Sequence, residues 1–232
     1  VASEIRLDDP ETTVAVVRHR SARRLTLRVD PVSGAARVTA PPRATMSEIR
    51  MFLMRQGDWL RGAQSRIPEQ VLVEDGALIP VAGVEHEIRR VEGAPRVARL
   101  NGGILTVGGK GPAGPRVAEW LKLRARDALL PAVERHAAKL GRRARGITLK
   151  DTRSRWGSCS ERGNLNFSWR LAMAPAPILD YVAAHEVAHL AEMNHSDRYW
   201  AVLERLMPDY EPRRAWLKKE GRYLHRFRFT AE

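Results

Sequence analysis

An α+β fold is predicted for this chain. A β-rich first part with one helix spans residues 1–110, and a mixed helical and β part spans 111–232. Three observations predict it. Apolar and polar residues alternate with period two in the first third, the mark of half-buried strands. A stretch rich in Gly and Pro, Gly108–Pro115, then separates this region from a long apolar stripe at helical spacing. A second alternating strand is followed by a helix that is apolar nearly all round, around Ile178–Glu192.

Taken in order, Leu25, Leu27 and Val29 alternate with Thr26 and Arg28, and the turn Asp30-Pro31-Val32-Ser33-Gly34 leads into Arg37-Val38-Thr39. Two alternating runs joined by a turn of this composition predict a hairpin. Thr45 and Glu48 have the spacing of a capping box. Ile49, Phe52, Leu53, Gln56, Trp59 and Leu60 continue that helix as one stripe. Short β segments over 71–108 are broken by Gly83, Gly93 and Gly102-Gly103. From Arg116 to Leu140 the pattern is helical, with Gly141 at the stop and Pro131 expected to kink or split it. His136 lies on the apolar stripe and is assigned to the core. Ile147–Lys150 predicts a strand, Asp151–Gly163 a turn-rich stretch, and Leu165, Phe167, Trp169 and Leu171 the inner face of a second strand. After the apolar helix, Ser196 starts a helix that Pro208 stops, and Glu211–Glu220 forms the last one.

The 232 residues are 44% apolar and 29% charged, enough to bury a core and too apolar for a disordered chain. No apolar run approaches the ~20 residues of a membrane helix. The N-terminal residues from Val1 show no secretory signal. A single cysteine, Cys159, excludes an intrachain disulfide and agrees with a reducing, cytoplasmic setting. The net charge is +13, and only six of forty basic residues are Lys. Clusters lie at Arg18–Arg24, Arg142–Arg145 and Arg213–Arg228. No nucleic-acid motif of fixed spacing accompanies them, so a solvated basic surface is the simpler account.

The informative segment is His185-Glu186-Val187-Ala188-His189. Histidines four apart on a helix project from one face, one turn apart, and can converge on one cation. Glu186, about 100° around the helix, can take a proton from an attacking water without occupying the ion. Val182, Ala183, Ala184, Val187, Ala188 and Leu190 make the helix a buried one, where two histidines and a glutamate are costly without partners. A third ligand is required. His195, six residues on, is the first candidate if the chain reverses near Met193-Asn194. Glu192 and Glu204 stay open as alternatives. The expected cofactor is one Zn²⁺ per chain.

Three stretches together resemble a known family: Arg153-Ser154-Arg155-Trp156-Gly157-Ser158-Cys159-Ser160; Gly163-Asn164-Leu165-Asn166 with Trp169-Arg170-Leu171; and the histidine segment closing on Asn194-His195-Ser196 and Tyr199-Trp200. The chain is similar to YgjP-like metallopeptidase domain proteins, distant relatives of SprT-like and other minimal zincins. The likeness is strongest over 115–220. It implies that the second part is a minimal zincin-like domain, that His185, His189 and His195 hold zinc, and that Glu186 is the base. It also implies that the strand carrying Asn166 lines a peptide cleft. The spacing from His189 to His195 matches the metzincin pattern, but Glu192 stands where that pattern has glycine.

The expected reaction is zinc-dependent hydrolysis of a peptide. The expected contacts to substrate come from Arg155, which can hold an oxyanion, carboxylate or phosphate; from Asn166; and from Tyr199, a possible oxyanion donor. Arg153 is a weaker candidate for the same contact, and Cys159 could be a fourth ligand or a redox switch, although a small residue packed in a turn is the simpler account. The Arg-rich flank and the net charge keep open hydrolysis of a nucleotide or other phosphoanhydride at the same site. A nucleic-acid-associated protein with a structural metal is a third reading, and it would need a fourth protein ligand. Peptide, protein or small anionic substrates are thus the expected partners, with no membrane.

Overall fold

The computed structural model describes residues 3–30 and 32–231, so Val1, Ala2 and Pro31 of the predicted turn lie outside the described residues. The chain forms two compact units, Val1–Gln70 and Val71–Glu232. Helices and small sheets mix in both, so the fold is α+β.

In the first unit the strands are β1 (Ser3–Asp8), β2 (Glu11–Arg18), β3 (Thr26–Val29) and β4 (Ala36–Ala40), in the spatial order β1-β2-β4-β3. The expected hairpin is β3–β4, antiparallel, with Leu27 opposite Val38. β1 and β2 carry the same alternation at Ile5/Leu7 and Val14/Val16, a signal that the hairpin overshadowed. These four residues, with Ala36 and Val38, bury one sheet face against Ile49, Leu53 and Leu60. Thr45 caps the first helix in a complete capping box. The predicted single helix is two, α1 (Met46–Arg55) and α2 (Gly57–Gln64). The chain turns at Gln56, and Trp59, expected in the buried stripe, is half exposed.

The second unit begins with β5 (Val71–Leu72), β6 (Leu78–Val81), β7 (Val84–Arg90), β8 (Arg99–Asn101) and β9 (Ile104–Val107). Then come α3 (Gly114–Leu140), β10 (Gly146–Lys150), β11 (Gly157–Cys159) and β12 (Asn164–Ser168). The chain closes with α4 (Ala176–Ala188), α5 (Asp197–Leu206), α6 (Tyr210–Glu220) and β13 (Phe227–Arg228), which pairs with β5.

The units part at residue 70/71, not at the expected 110/111. Ile79, Ile88, Leu105 and Val107 of the β6–β9 sheet share one core with Val117 and Leu121 of α3. The Gly- and Pro-rich stretch therefore lies within this unit, exposed over 109–112 but buried at Gly108, Ala113 and Gly114. A Cβ on Gly114 would stand 2.8 Å from the Phe229 carbonyl carbon and 2.9 Å from the Val73 carbonyl oxygen.

Three more expectations change in this unit. α3 runs unbroken through Pro131. Pro131 faces solvent, where water can satisfy the carbonyl that its missing N–H leaves free. The second alternating strand stops at Ser168, and Trp169–Met173 is a 3-10 helix buried on every side. Arg170 in that helix is buried, ion-paired with Asp151 and donating to the carbonyls of Leu224 and Phe227. α4 ends at Ala188 rather than near Met193.

α4 packs against α3, α5, α6 and β11. Its tie to α3 is polar: buried His136 on α3 donates to Asp180 at 2.8 Å, and Arg135 pairs with the same oxygen at 2.6 Å. Burial raises the Asp180 carboxyl, but the bonds and charges of His136 and Arg135 outweigh it and hold it below its ordinary value. A carboxyl depressed in the folded state contributes stability above its unfolded pKa and loses it as pH falls through the folded one. Asp180→Ala should cost about 1–3 kcal/mol at neutral pH. Urea titrations should show the gap to wild type narrowing below about pH 4.

Candidate metal centre

His185 and Glu186 lie in the last turn of α4, and His189 caps it. Beyond Ala188 the chain tightens, with the N–H groups of Ala191 and Glu192 both donating to the Ala188 carbonyl. The loop then carries His195 back over the helix end before Ser196 starts α5. One ring nitrogen from each of His185, His189 and His195 lies within 4.8 Å of the others, a group that could hold a metal ion. Glu192 and Glu204 are outside the group. Glu192 contributes only its backbone carbonyl, 2.9 Å from His189 Nδ1, and Glu204 is exposed on α5.

Neighbours fix the ring orientations. The Tyr199 hydroxyl donates to the His185 carbonyl at 3.1 Å and so is free to accept from His185 Nδ1 at 2.7 Å. His189 Nδ1 donates to Glu192. In both rings this leaves the Nε2 lone pair for another partner. His185 Nε2 and His195 Nε2 are 3.2 Å apart. Tyr199 is fully buried, and its ring centroid lies 5.3, 4.5 and 4.7 Å from those of His185, His189 and His195. It is thus placed beneath the histidines and not in the open cleft.

Electrostatics favour neutral imidazoles. Burial, then the charges of His189, His195 and Arg214, pushes His185 down to about 3. Burial also lowers His189. Glu186 is 4% exposed, and its Oε2 has no hydrogen-bond partner. Burial pushes its carboxyl up to about 8 against the opposing charge of Arg155.

An open cleft of about 550 Å³ contains the histidines and Glu186. Its far wall is β11 with the residues before it, including Arg155 and Trp156. Gly157 seats Glu186: a Cβ there would collide with Oε1 and stand 2.6 Å from Cγ and 2.7 Å from Cδ. Trp156 packs against His225, with ring centroids 4.9 Å apart and the planes tilted by 33°, and His225 is buried behind the cleft wall. Cys159 lines the cleft, but burial and the nearby Glu186 push its thiol up to about 11, against a thiolate ligand.

The strand expected along the cleft is not its edge. β12 sits between β10 and β11 and is paired on both sides, so β11 presents the open edge. Asn166 is half-buried on β12, where its side-chain amide donates to Ser158 Oγ at 3.2 Å. It reaches the cleft through Ser158. Arg155 is exposed and lines the cleft. Gly157 and Ser158 had no assigned role in the sequence reading, although their stretch was recognised. The available signal was a glycine flanked by residues of strand character.

A family model, "YgjP-like, metallopeptidase domain", matches residues 23–220. The chain belongs to the YgjP-like metallopeptidase family. The metallopeptidase zymogen abylysin of Pyrococcus abyssi aligns with 40% of this YgjP-like chain and 95% of its own, at 18% identity and a TM-score of 0.36, too slight a likeness to add to the fold. No curated protein matches significantly.

A YgjP-like metallopeptidase implies a metal ion, and the residues fit one. Zinc–nitrogen bonds of about 2.0–2.1 Å at tetrahedral angles put two ligand nitrogens about 3.3 Å apart. His185 and His195 show 3.2 Å. The unpartnered Glu186 oxygen lies in the same cleft.

Proposed function

We propose that this YgjP-like metallopeptidase is a zinc peptidase in which His185, His189 and His195 hold one ion and Glu186 is the general base. The observation that carries the reading is the convergence of three imidazoles, two of them oriented by hydrogen bonds, beside a buried carboxyl group with a free oxygen. Bound zinc would acidify water and polarise the scissile carbonyl. Glu186 takes the proton from the attacking water and delivers it to the leaving amine. An extended peptide pairs with the open edge of β11, and Arg155 contacts it at the cleft mouth.

Tyr199, first considered a substrate donor, serves as a positioning residue. Its hydroxyl fixes the His185 tautomer, and its ring supports all three histidines. Tyr199→Phe keeps the ring and loses the hydroxyl. It should weaken zinc binding about 10–100-fold, read by competition with a chromogenic chelator.

Nucleotide hydrolysis is less well supported, because among the described residues Arg155 is the one arginine lining the cleft, not one of a cluster. The test is a zinc-loaded chain incubated with a proteome-derived peptide library and, separately, with nucleoside triphosphates. Peptide cleavage with unpaired new termini supports the reading, and nucleotide turnover without cleavage overturns it. Equal zinc content in wild type and His195→Ala would remove His195 as a ligand.

A further inference from the structure

The Arg18–Arg24 cluster is not used by the metal centre. It leads into the first unit's sheet, on the face away from the one that Ile49, Leu53 and Leu60 cover among the described residues. Thr26 and Arg28 on β3 stand opposite Thr39 and Arg37 on β4, so all four share that face. Arg28 and Arg37 are direct cross-strand partners. Like charges in that position repel and destabilise a sheet. Nothing in the protein offsets this: among the described residues the guanidinium groups of Arg23, Arg24, Arg28 and Arg37 make no ion pair or hydrogen bond.

A concavity of about 770 Å³ opens here. Arg23, Arg24 and Arg28 line it with His19, Ser21 and Thr26, and Thr39 completes the wall from β4. No carboxylate lines it. The arrangement is therefore a set of unpaired cations flanked by the hydroxyls of Thr26 and Thr39 and by His19, whose Nδ1 is bonded to Ser21 Oγ at 2.8 Å.

We infer that this face binds the phosphodiester backbone of nucleic acid. The planar fork of Arg matches phosphate oxygens, and hydroxyl and imidazole groups are common phosphate contacts. The His19 imidazole is the one ring among the lining residues, and no Phe, Tyr or Trp offers a platform for stacking successive bases, so binding rests on the backbone and is independent of sequence. A lipid surface fits less well. The unit's large exposed apolar residues, Met46, Met51, Met54 and Trp59, are on the helices, and the concavity has only Ala22 to offer an acyl chain.

The test uses the zinc-loaded full chain and a fluorescent random-sequence DNA duplex, followed by anisotropy across a salt series. One variant carries Arg23→Gln, Arg24→Gln and Arg28→Gln. A charge-matched control carries Arg142→Gln, Arg143→Gln and Arg145→Gln, exposed arginines of the second unit. The patch variant should bind at least about tenfold more weakly, and its log–log salt slope should fall by about 2–3, near 0.9 per lost phosphate contact. The control should change less than about threefold in the same assay. Circular dichroism and zinc content should match wild type in both. Equal losses in the two variants would mean diffuse attraction to the net charge and would overturn the inference. So would unchanged binding by the patch variant, which would leave the arginines as guards of the β3 edge. Patch-dependent binding to phosphatidylglycerol vesicles without patch-dependent binding to DNA would overturn it in favour of a membrane.

Discussion

Glu186→Gln should lower kcat/KM on any peptide that the wild type cleaves by roughly 10²–10⁴-fold, the range for losing a general base. Zinc stoichiometry should be unchanged. The reasoning is local. Gln has nearly the same shape and volume, so α4 and its packing stay in place. Glu186 is not in the group that could hold the ion. Its Oε2 has no protein partner to lose. What disappears is the ability to accept a proton, because an amide is not a base at neutral pH. Steady-state kinetics with metal analysis on the same preparation checks both halves. Full activity in the variant would remove Glu186 from the chemistry. Lost zinc would assign it to the ligand set instead.

Gly157→Ala should disable the same carboxylate without touching it chemically. The new Cβ would collide with Oε1 and crowd Cγ and Cδ. β11 is pinned by its pairing with β12, and the α4 backbone is pinned by the core. The flexible partner is the Glu186 side chain, which must swing away. A displacement of about 1 Å can cost on the order of 10²-fold in rate. Overpacking should also cost about 1–3 kcal/mol of stability. Zinc binding should survive, because none of the three histidines touches Gly157 in this way. The double variant with Glu186→Gln should be no slower than Glu186→Gln alone, since both remove one function. Wild-type activity in Gly157→Ala would show that the seat is not needed.

Much of the metal centre was legible along the chain because its parts are local. The spacing of His185 and His189 fixes one helical face, and a capping box or an alternating strand is likewise decided within a few residues. His195 was legible only as a chain reversal, and the tight turn at Ala188 that brings it back depends on packing of the loop. The placement of Tyr199 and Asn166 was not legible for a related reason. Their side chains have the right chemistry for substrate contact, but Tyr199 is buried under the histidines and Asn166 is on an interior strand. Neither depth nor strand order is written in local spacing. The domain boundary failed on the same principle, since Gly and Pro mark a flexible linker and a joint within one unit alike.

The sequence alone determined the α+β class, the histidine–glutamate helix and the strong positive charge, all set by composition and short-range periodicity. The tertiary structure decided which strand forms the open edge of the cleft, which residue seats Glu186, what orients the histidines and where unpaired arginines meet on one sheet face. Each of these depends on segments distant in the chain packing side by side, and those contacts exist only once the core has closed.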